Sequence, residues 1–425
     1  MSSSGIAPII NSLFEGGLPI KLTAFDGSSA GDASSPYGLE LLNQRGLQFI
    51  LTAPGDLGLA RAYVSGDIEL HGTHPGDPYP LLQLVLDKTD FKLPKPAELV
   101  NLVRNLGIKN FRPPQPPPQE NLPLWRHKLE GLRRHSKNRD AEAIHHHYDV
   151  SNTFYEYVLG PSMTYTCALF ETEDKTLEEA QFAKYDLICR KLDLKPGQRL
   201  LDLGCGWGGM LRHAAKHYGV KALGVTLSRE QATWAQEEIK KQGLDDIAEV
   251  RFGDYRDVRE SDFDAISSIG LTEHIGVKNY PAYFGFIKEK LTPQGRLLNH
   301  CITRNDNRQK ASAGAFIDRY VFPDGELAGS GTIVAAVEDT GLEVQHHENI
   351  RLHYAKTLTG WNKNLVDNWD ACVAEVGLGT AKVWGLYMAG SRIGFERNWI
   401  QLHHVLATKT VDGVSAYPLR HTFGA

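Results

Sequence analysis

The stretch RLLDLGCGWGG, residues 199–209, decides the fold. Four apolar or acidic residues lead into a glycine-dense turn, and a helical pattern, MLRHAAKHY, follows. Strand, glycine turn, helix is the arrangement that brings a backbone close to a nucleotide-like cofactor. Working outward, a helix spans Leu177–Leu192 on one side. On the other come strand KALGVTL, helix REQATWAQEEIKKQ, strands AEVRFGD and FDAISSI, helix YPAYFGFIKEKL and strand GRLLNHCIT. This alternation predicts an α/β fold with a doubly wound, mostly parallel sheet over residues 141–425.

Gly204, Gly206 and Gly209 satisfy G-x-G-x-x-G, so a dinucleotide fold is the first rival. That reading requires an acid at the end of the second strand to hold a ribose hydroxyl. Here that strand ends Val225-Thr226-Leu227-Ser228. An acid, Asp202, instead precedes the glycines. The order D-x-G-x-G-x-G resembles the cofactor loop of class I S-adenosylmethionine (SAM) methyltransferases. Glycines permit close approach, and a nearby acid suits a ligand carrying an ammonium and a sulfonium.

The chain has 425 residues, 41% hydrophobic and 23% charged, with a net charge of −5. It is long enough for two domains, and nothing global points to nucleic acid. No run approaches the roughly 18 apolar residues of a membrane span. The start, MSSSGIAPIINSLF, lacks a basic n-region and a cleavage site. Five scattered cysteines form no CxxC and no disulfide framework, which points to a reducing cytoplasm.

Residues 1–111 read as a smaller N-terminal mixed domain. Ile6, Ile9, Ile10, Leu13 and Phe14 keep helical spacing; the stripe faces either its own core or lipid. RPPQPPPQ (112–119) excludes helix and central strand, so 112–140 reads as a linker. Its second half, LWRHKLEGLRRHSKNR (124–139), sets six basic residues against one acid. Such a segment suits an anionic membrane surface or a merely solvated helix.

More specific blocks surround the glycine loop. They are HHYDVSNTFYEYVLGPSMTYTCALF (146–170), TLSREQ (226–231), GLTEHIGVKNYPAYF (270–284), LLNHCIT (297–303), FIDRYVFPDGEL (316–327) and HYAKTL (353–358). Together with LDLGCGWG they resemble the cyclopropane-fatty-acyl-phospholipid synthase family, which includes the mycolic acid cyclopropane synthases. The resemblance implies methyl transfer from SAM to a cis double bond of a lipid acyl chain. Loss of a proton from the new methyl would then close a three-membered ring. The alkene is a poor nucleophile, so near-attack positioning matters. The cation tolerates no water, and aromatic faces can stabilise it.

In that family the base is understood to be a bound bicarbonate. Glu273 matches the carboxylate that accepts its O–H, and His300 and Tyr354 match its side-chain partners. Cys167 and Ile302 match positions whose backbone N–H groups help hold the anion. The same resemblance places Tyr165, Thr166, Gly204, Cys205 and Gly206 against SAM, with Thr226, Leu227 and Gln231 in place of the ribose acid and Asp254 and Tyr255 beside the adenine. It also implies unsaturated phospholipid acyl chains as substrate, peripheral attachment to the inner membrane face, and a homodimer.

Three features stay open. His145–His147 invite a metal, but adjacent histidines diverge on a helix and no acid or cysteine stands at ligand spacing, so no metal is expected. His274 reads as a neighbour of the catalytic group. Thr272 stands where many family members carry a large apolar residue. That change is either neutral packing or a route to a methylene- or methyl-branched product. A lipid-binding protein on the same fold, without turnover, is the rival from another class.

Overall fold

The computed structural model describes residues 5–90, 106–120, 151–309, 314–323 and 325–423. The basic segment 124–139, His145–His147 and Tyr148-Asp149 lie outside these residues. The chain forms two compact units. One gathers the described residues of Met1–Leu124 with Gly314–Val321 and Trp361–Ile393; the other gathers those of Trp125–Ala313, Phe322–Gly360 and Gly394–Ala425.

The first unit holds a four-stranded sheet, β1 (Lys21–Ala24), β2 (Ser29–Gly31), β3 (Gly38–Leu41) and β4 (Ile68–His71), in the order β2-β1-β3-β4. β1 and β3 are parallel and the outer pairs antiparallel. The helix Ile6–Asn11 buries Ala7 and Ile10 in a core shared with Leu22, Leu41, Phe49 and Tyr63. The N-terminal stripe therefore packs on its own unit. The described end of the proline-rich stretch is docked there too. The Glu120 carboxylate accepts from Arg61 Nε at 2.6 Å and Nη2 at 2.5 Å, and from the Tyr320 hydroxyl at 3.2 Å. A two-pronged guanidinium–carboxylate pair with a third donor is the arrangement that keeps a buried acid tolerable.

The second unit is built on β5 (Arg199–Leu203), β6 (Lys221–Thr226), β7 (Ala248–Phe252), β8 (Phe263–Ile269), β9 (Leu291–Arg304), β10 (Glu343–Asn349) and β11 (Ile400–Thr408). Their order is β10-β11-β9-β8-β5-β6-β7. β5 to β9 pair in parallel, and β11 runs antiparallel between β9 and β10. The doubly wound, mostly parallel reading holds. β5 and β8 carry near-continuous burial because helices cover both faces. Their polar residues are paired within the sheet: Ser267 donates to Asp202 at 2.7 Å, and the Ser268 and Tyr283 hydroxyls lie 2.6 Å apart.

The order reverses at β5, whose neighbours are β6 and β8. A crevice at the carboxyl ends of the strands opens there. Local signals fix the flanking helices. Thr176 and Glu179 form a reciprocal cap on Leu177–Leu192, and Ser228 accepts from the Gln231 N–H to start Arg229–Lys241.

Candidate active site

The crevice is lined by Gly204, Gly206, Thr226, Leu227, Gln231 and Tyr255, all expected at the cofactor. Val225 and Gly253 also line it, as do Gly270, Leu271 and His274 from the segment after β8. Gly204 and Gly206 have φ of 67° and 55°, the left-handed region that glycine adopts without cost. Thr226 donates to Gln231 Oε1 at 2.7 Å, a buried pair where a dinucleotide enzyme would carry its acid. Cys205 is buried behind the loop, its backbone N–H on the Val225 carbonyl at 2.9 Å.

Two acids are engaged by protein partners. Asp202 is fully buried in mid-strand, where Ser267 holds it and burial raises its carboxyl to about 7. It lies within the sheet rather than among the residues lining the crevice. The Asp254 carboxylate is occupied by Arg256, which donates from Nε at 2.7 Å and from its backbone N–H at 2.9 Å. Tyr255, next to it, is the residue that reaches the crevice.

Thr166 sits against the same turn; a Cβ on Gly270 would lie 3.3 Å from its methyl. Its hydroxyl accepts from Lys184 Nζ at 3.0 Å. Lys184 is wholly buried beside the Tyr185 ring, and desolvation lowers its ammonium to about 7. Its charge also bears on Cys167 and His300. Tyr165 lies near Tyr155 and stacks on Phe322, which also contacts His274. Tyr155 packs on Trp207 at 4.8 Å, and Trp207 Nε1 donates to Asn152 at 2.9 Å. The helix Asn152–Leu159 is thereby fastened to the glycine loop.

A second group stands beside the crevice. Glu273, in the short helix Thr272–Ile275, is buried, and its Oε1 accepts from the Ile302 N–H at 2.7 Å. Its Oε2 is buried with no partner among the described residues. Burial lifts this carboxyl to about 7. The structure thus gives the Ile302 N–H a partner other than the expected anion. A strand-end donor beside a desolvated carboxylate satisfies that carboxylate first.

His300 is buried on β9, its Nδ1 2.8 Å from His404 Nε2. Its Nε2 has no partner among the described residues. Desolvation and the Lys184 and Lys191 charges hold its pKa well below the usual range, so the ring is neutral.

Cys167 is fully buried, and burial pushes its thiol up, so no thiolate forms. Next to it, the Ala168 N–H donates to Thr357 at 2.9 Å, and the Phe170 N–H donates to His353 at 3.1 Å. These bonds tie the TYTCALF loop to the helix that carries Tyr354. Tyr354 is buried and stacked on Phe395 at 4.4 Å. Thr272 donates to Asn299 at 2.6 Å, both fully buried. His404, Lys184 and Lys191 were not singled out in the sequence.

Among the described residues only Glu40, Glu69 and His71 cluster as metal donors, and they lie in the first unit, largely exposed. Fold and crevice define a class I SAM-dependent methyltransferase. The family described as mycolic acid cyclopropane synthetase matches residues 135–405. A probable fatty acid methyltransferase of Mycobacterium tuberculosis is 62% identical over 95% of this chain and 94% of its own. The cyclopropane-fatty-acyl-phospholipid synthase of Escherichia coli K12 is 35% identical over 65% of this chain and 70% of its own. Among solved structures, the cyclopropane synthase MmaA2 from Mycobacterium tuberculosis aligns with TM-score 0.60 and 32% identity, over 64% of this chain and 99% of its own. Mycolic acid cyclopropane synthase CmaA1, complexed with S-adenosylhomocysteine and CTAB, gives the same score and identity, over 63% of this chain and 98% of its own. The chain belongs to the mycolic acid cyclopropane synthetase family.

Proposed function

We propose that this enzyme moves the SAM methyl onto a cis double bond of an unsaturated phospholipid acyl chain and closes a cyclopropane ring. The observation that carries this reading is the pair of buried, unpartnered atoms Glu273 Oε2 and His300 Nε2 next to the cofactor crevice. A protein that only carries lipid has no use for a desolvated carboxylate and imidazole. When bound, SAM supplies the electrophilic methyl and bicarbonate the base that removes the proton lost on ring closure.

The residues present fit both groups. Gly204, Gly206, Gln231 and Tyr255 line the space for the nucleoside part. Glu273 Oε2 is the acceptor for a bicarbonate O–H, since two free carboxylates side by side would repel. Ile302 orients Glu273 by its N–H. His300, held neutral, and Tyr354 would hold the anion by their side chains, and the Cys167 backbone N–H would complete the set. Tyr165, Phe322 and His274 set aromatic faces along one side, suited to a developing cation.

The name of the 62% identical relative favours a second reading, a methylene- or methyl-branched chain. The Thr272–Asn299 bond supports it, because it fixes the Glu273 helix through a polar pair. A 1,2-hydride shift in the cation before the methyl proton is lost would give the methylene product, and loss of a proton from a chain carbon would give a methyl-branched alkene. The basic segment 124–139 supports docking at the cytoplasmic face of a membrane, and we propose a homodimer on the resemblance alone. The decisive test is Glu273→Gln with phospholipid vesicles. The reading expects turnover to vanish while SAM still binds, and wild-type turnover to depend on added bicarbonate. Full activity in Glu273→Gln overturns the base assignment.

A further inference from the structure

We infer that Lys191 and His404 are positioning residues that set the tautomer of His300, so that it presents a proton on Nε2 rather than a lone pair. The inference builds on the proposed anion site. Four side chains from four elements form one line. Glu348 on β10 pairs with Lys191 Nζ, and Lys191 Nζ lies 3.0 Å from His404 Nδ1. His404 Nε2 lies 2.8 Å from His300 Nδ1. His404 and His300 are direct partners across β11 and β9. Lys191, His404 and His300 are all buried, whereas the Glu348 side chain is 37% exposed.

The direction of the line follows from valence. An ammonium has only donors. Lys191 must therefore donate to His404 Nδ1, which leaves that nitrogen bare. Neutral His404 then carries its proton on Nε2 and donates it to His300 Nδ1. Neutral His300 is left with its only proton on Nε2, the atom with no partner among the described residues. Burial and the neighbouring ammonium groups keep both rings neutral.

A histidine fixed this way is an anion holder. It cannot take the proton lost on ring closure, because its only bare nitrogen is engaged by His404. The base must come from elsewhere, which is the role assigned above to bicarbonate.

The test uses the full chain labelled with ¹⁵N-histidine. The His300 signals are identified by their loss in His300→Gln. In the wild type we expect a protonated Nε2 and a bare Nδ1. His404→Gln should keep that pattern, since an amide can accept from Lys191 and donate to His300. Lys191→Met should give mixed tautomers. In that variant the KM for bicarbonate should rise about tenfold, as for one lost fixed hydrogen bond to a charged group. Its kcat at saturating bicarbonate and its SAM affinity should change little.

A wild-type His300 with its proton on Nδ1 overturns the inference, whether or not Lys191→Met folds. So does a Lys191→Met enzyme that matches the wild type in both tautomer and KM. If the tautomers are as stated but turnover ignores bicarbonate, the relay stands and the base assignment falls.

Discussion

The Ile302 N–H donates to Oε1 of Glu273 at 2.7 Å and so selects which oxygen of the carboxylate is left open. Oε2 remains buried without a partner among the described residues. Charge on this group is costly, and burial holds its pKa at about 7 rather than 4.5.

That shift makes a stability prediction. Between those two values the unfolded chain has released the proton and the folded chain has kept it. Stability therefore falls as pH rises through this window and levels off above it. Glu273→Gln keeps an oxygen for Ile302 and carries no charge. The variant should be more stable than the wild type at about pH 8, by up to roughly 3 kcal/mol, with the gap narrowing toward about pH 5. Urea unfolding at several pH values measures this. A gap that does not change with pH would contradict the assignment.

Thr272 and Asn299 form a buried pair in which each needs the other. Thr272→Val keeps the shape and strands the Asn299 carbonyl, at a cost of about 1–3 kcal/mol. Thr272→Val with Asn299→Leu should recover part of that loss. Since Thr272 precedes Glu273 in the same helix, the single variant should also shift the ratio of ring to branched product. Denaturation and product analysis by mass spectrometry check the two effects separately.

Two loop glycines should behave differently. A Cβ on Gly206 would meet nothing within 4 Å and would stand in the crevice, at φ 55°. Gly206→Ala should cost about 1–2 kcal/mol of strain and weaken SAM binding. A Cβ on Gly208 would lie 2.7 Å from a Leu211 methyl and 3.2 Å from Ala235. Gly208→Ala should lose more stability than Gly206→Ala. Calorimetric titration with SAM and thermal melts distinguish the two.

The Cys167 thiol is buried with its pKa pushed up, so it is a packed group. Cys167→Ala should retain turnover within a few-fold. Iodoacetamide at neutral pH should not inactivate the native enzyme. Rapid inactivation that SAM prevents would show a reactive thiolate instead.

Periodicity revealed β5 to β9 and their helices because each strand sits beside a helix close in sequence. β10, β11 and the helices Arg351–Asp367 and Trp369–Glu396 carried no such local signal. β11 pairs antiparallel with a strand about a hundred residues away, so the His404–His300 contact was invisible in the sequence. Lys191 read as an ordinary helix residue, since only tertiary packing places it on His404. The glycine loop was legible from its own residues, whereas Thr226 and Gln231, which bond at 2.7 Å, came only from the family resemblance. Asp202 stood out in the sequence as an acid close before the glycines, and its carboxyl takes the Ser267 hydroxyl, a partner 65 residues away that no local pattern announces. The N-terminal stripe read first as a helix packed on its own domain, with lipid as the alternative, and Ile10 with its neighbour Ala7 does lie in that core.

The most direct test is mass spectrometry of phospholipids bearing cis-monounsaturated chains, after incubation with the purified enzyme, SAM and bicarbonate. The account predicts a gain of one CH₂ in a product that resists ozonolysis. No gain with SAM bound, or a gain of CH₂ in a product that ozone still cleaves, would contradict ring closure.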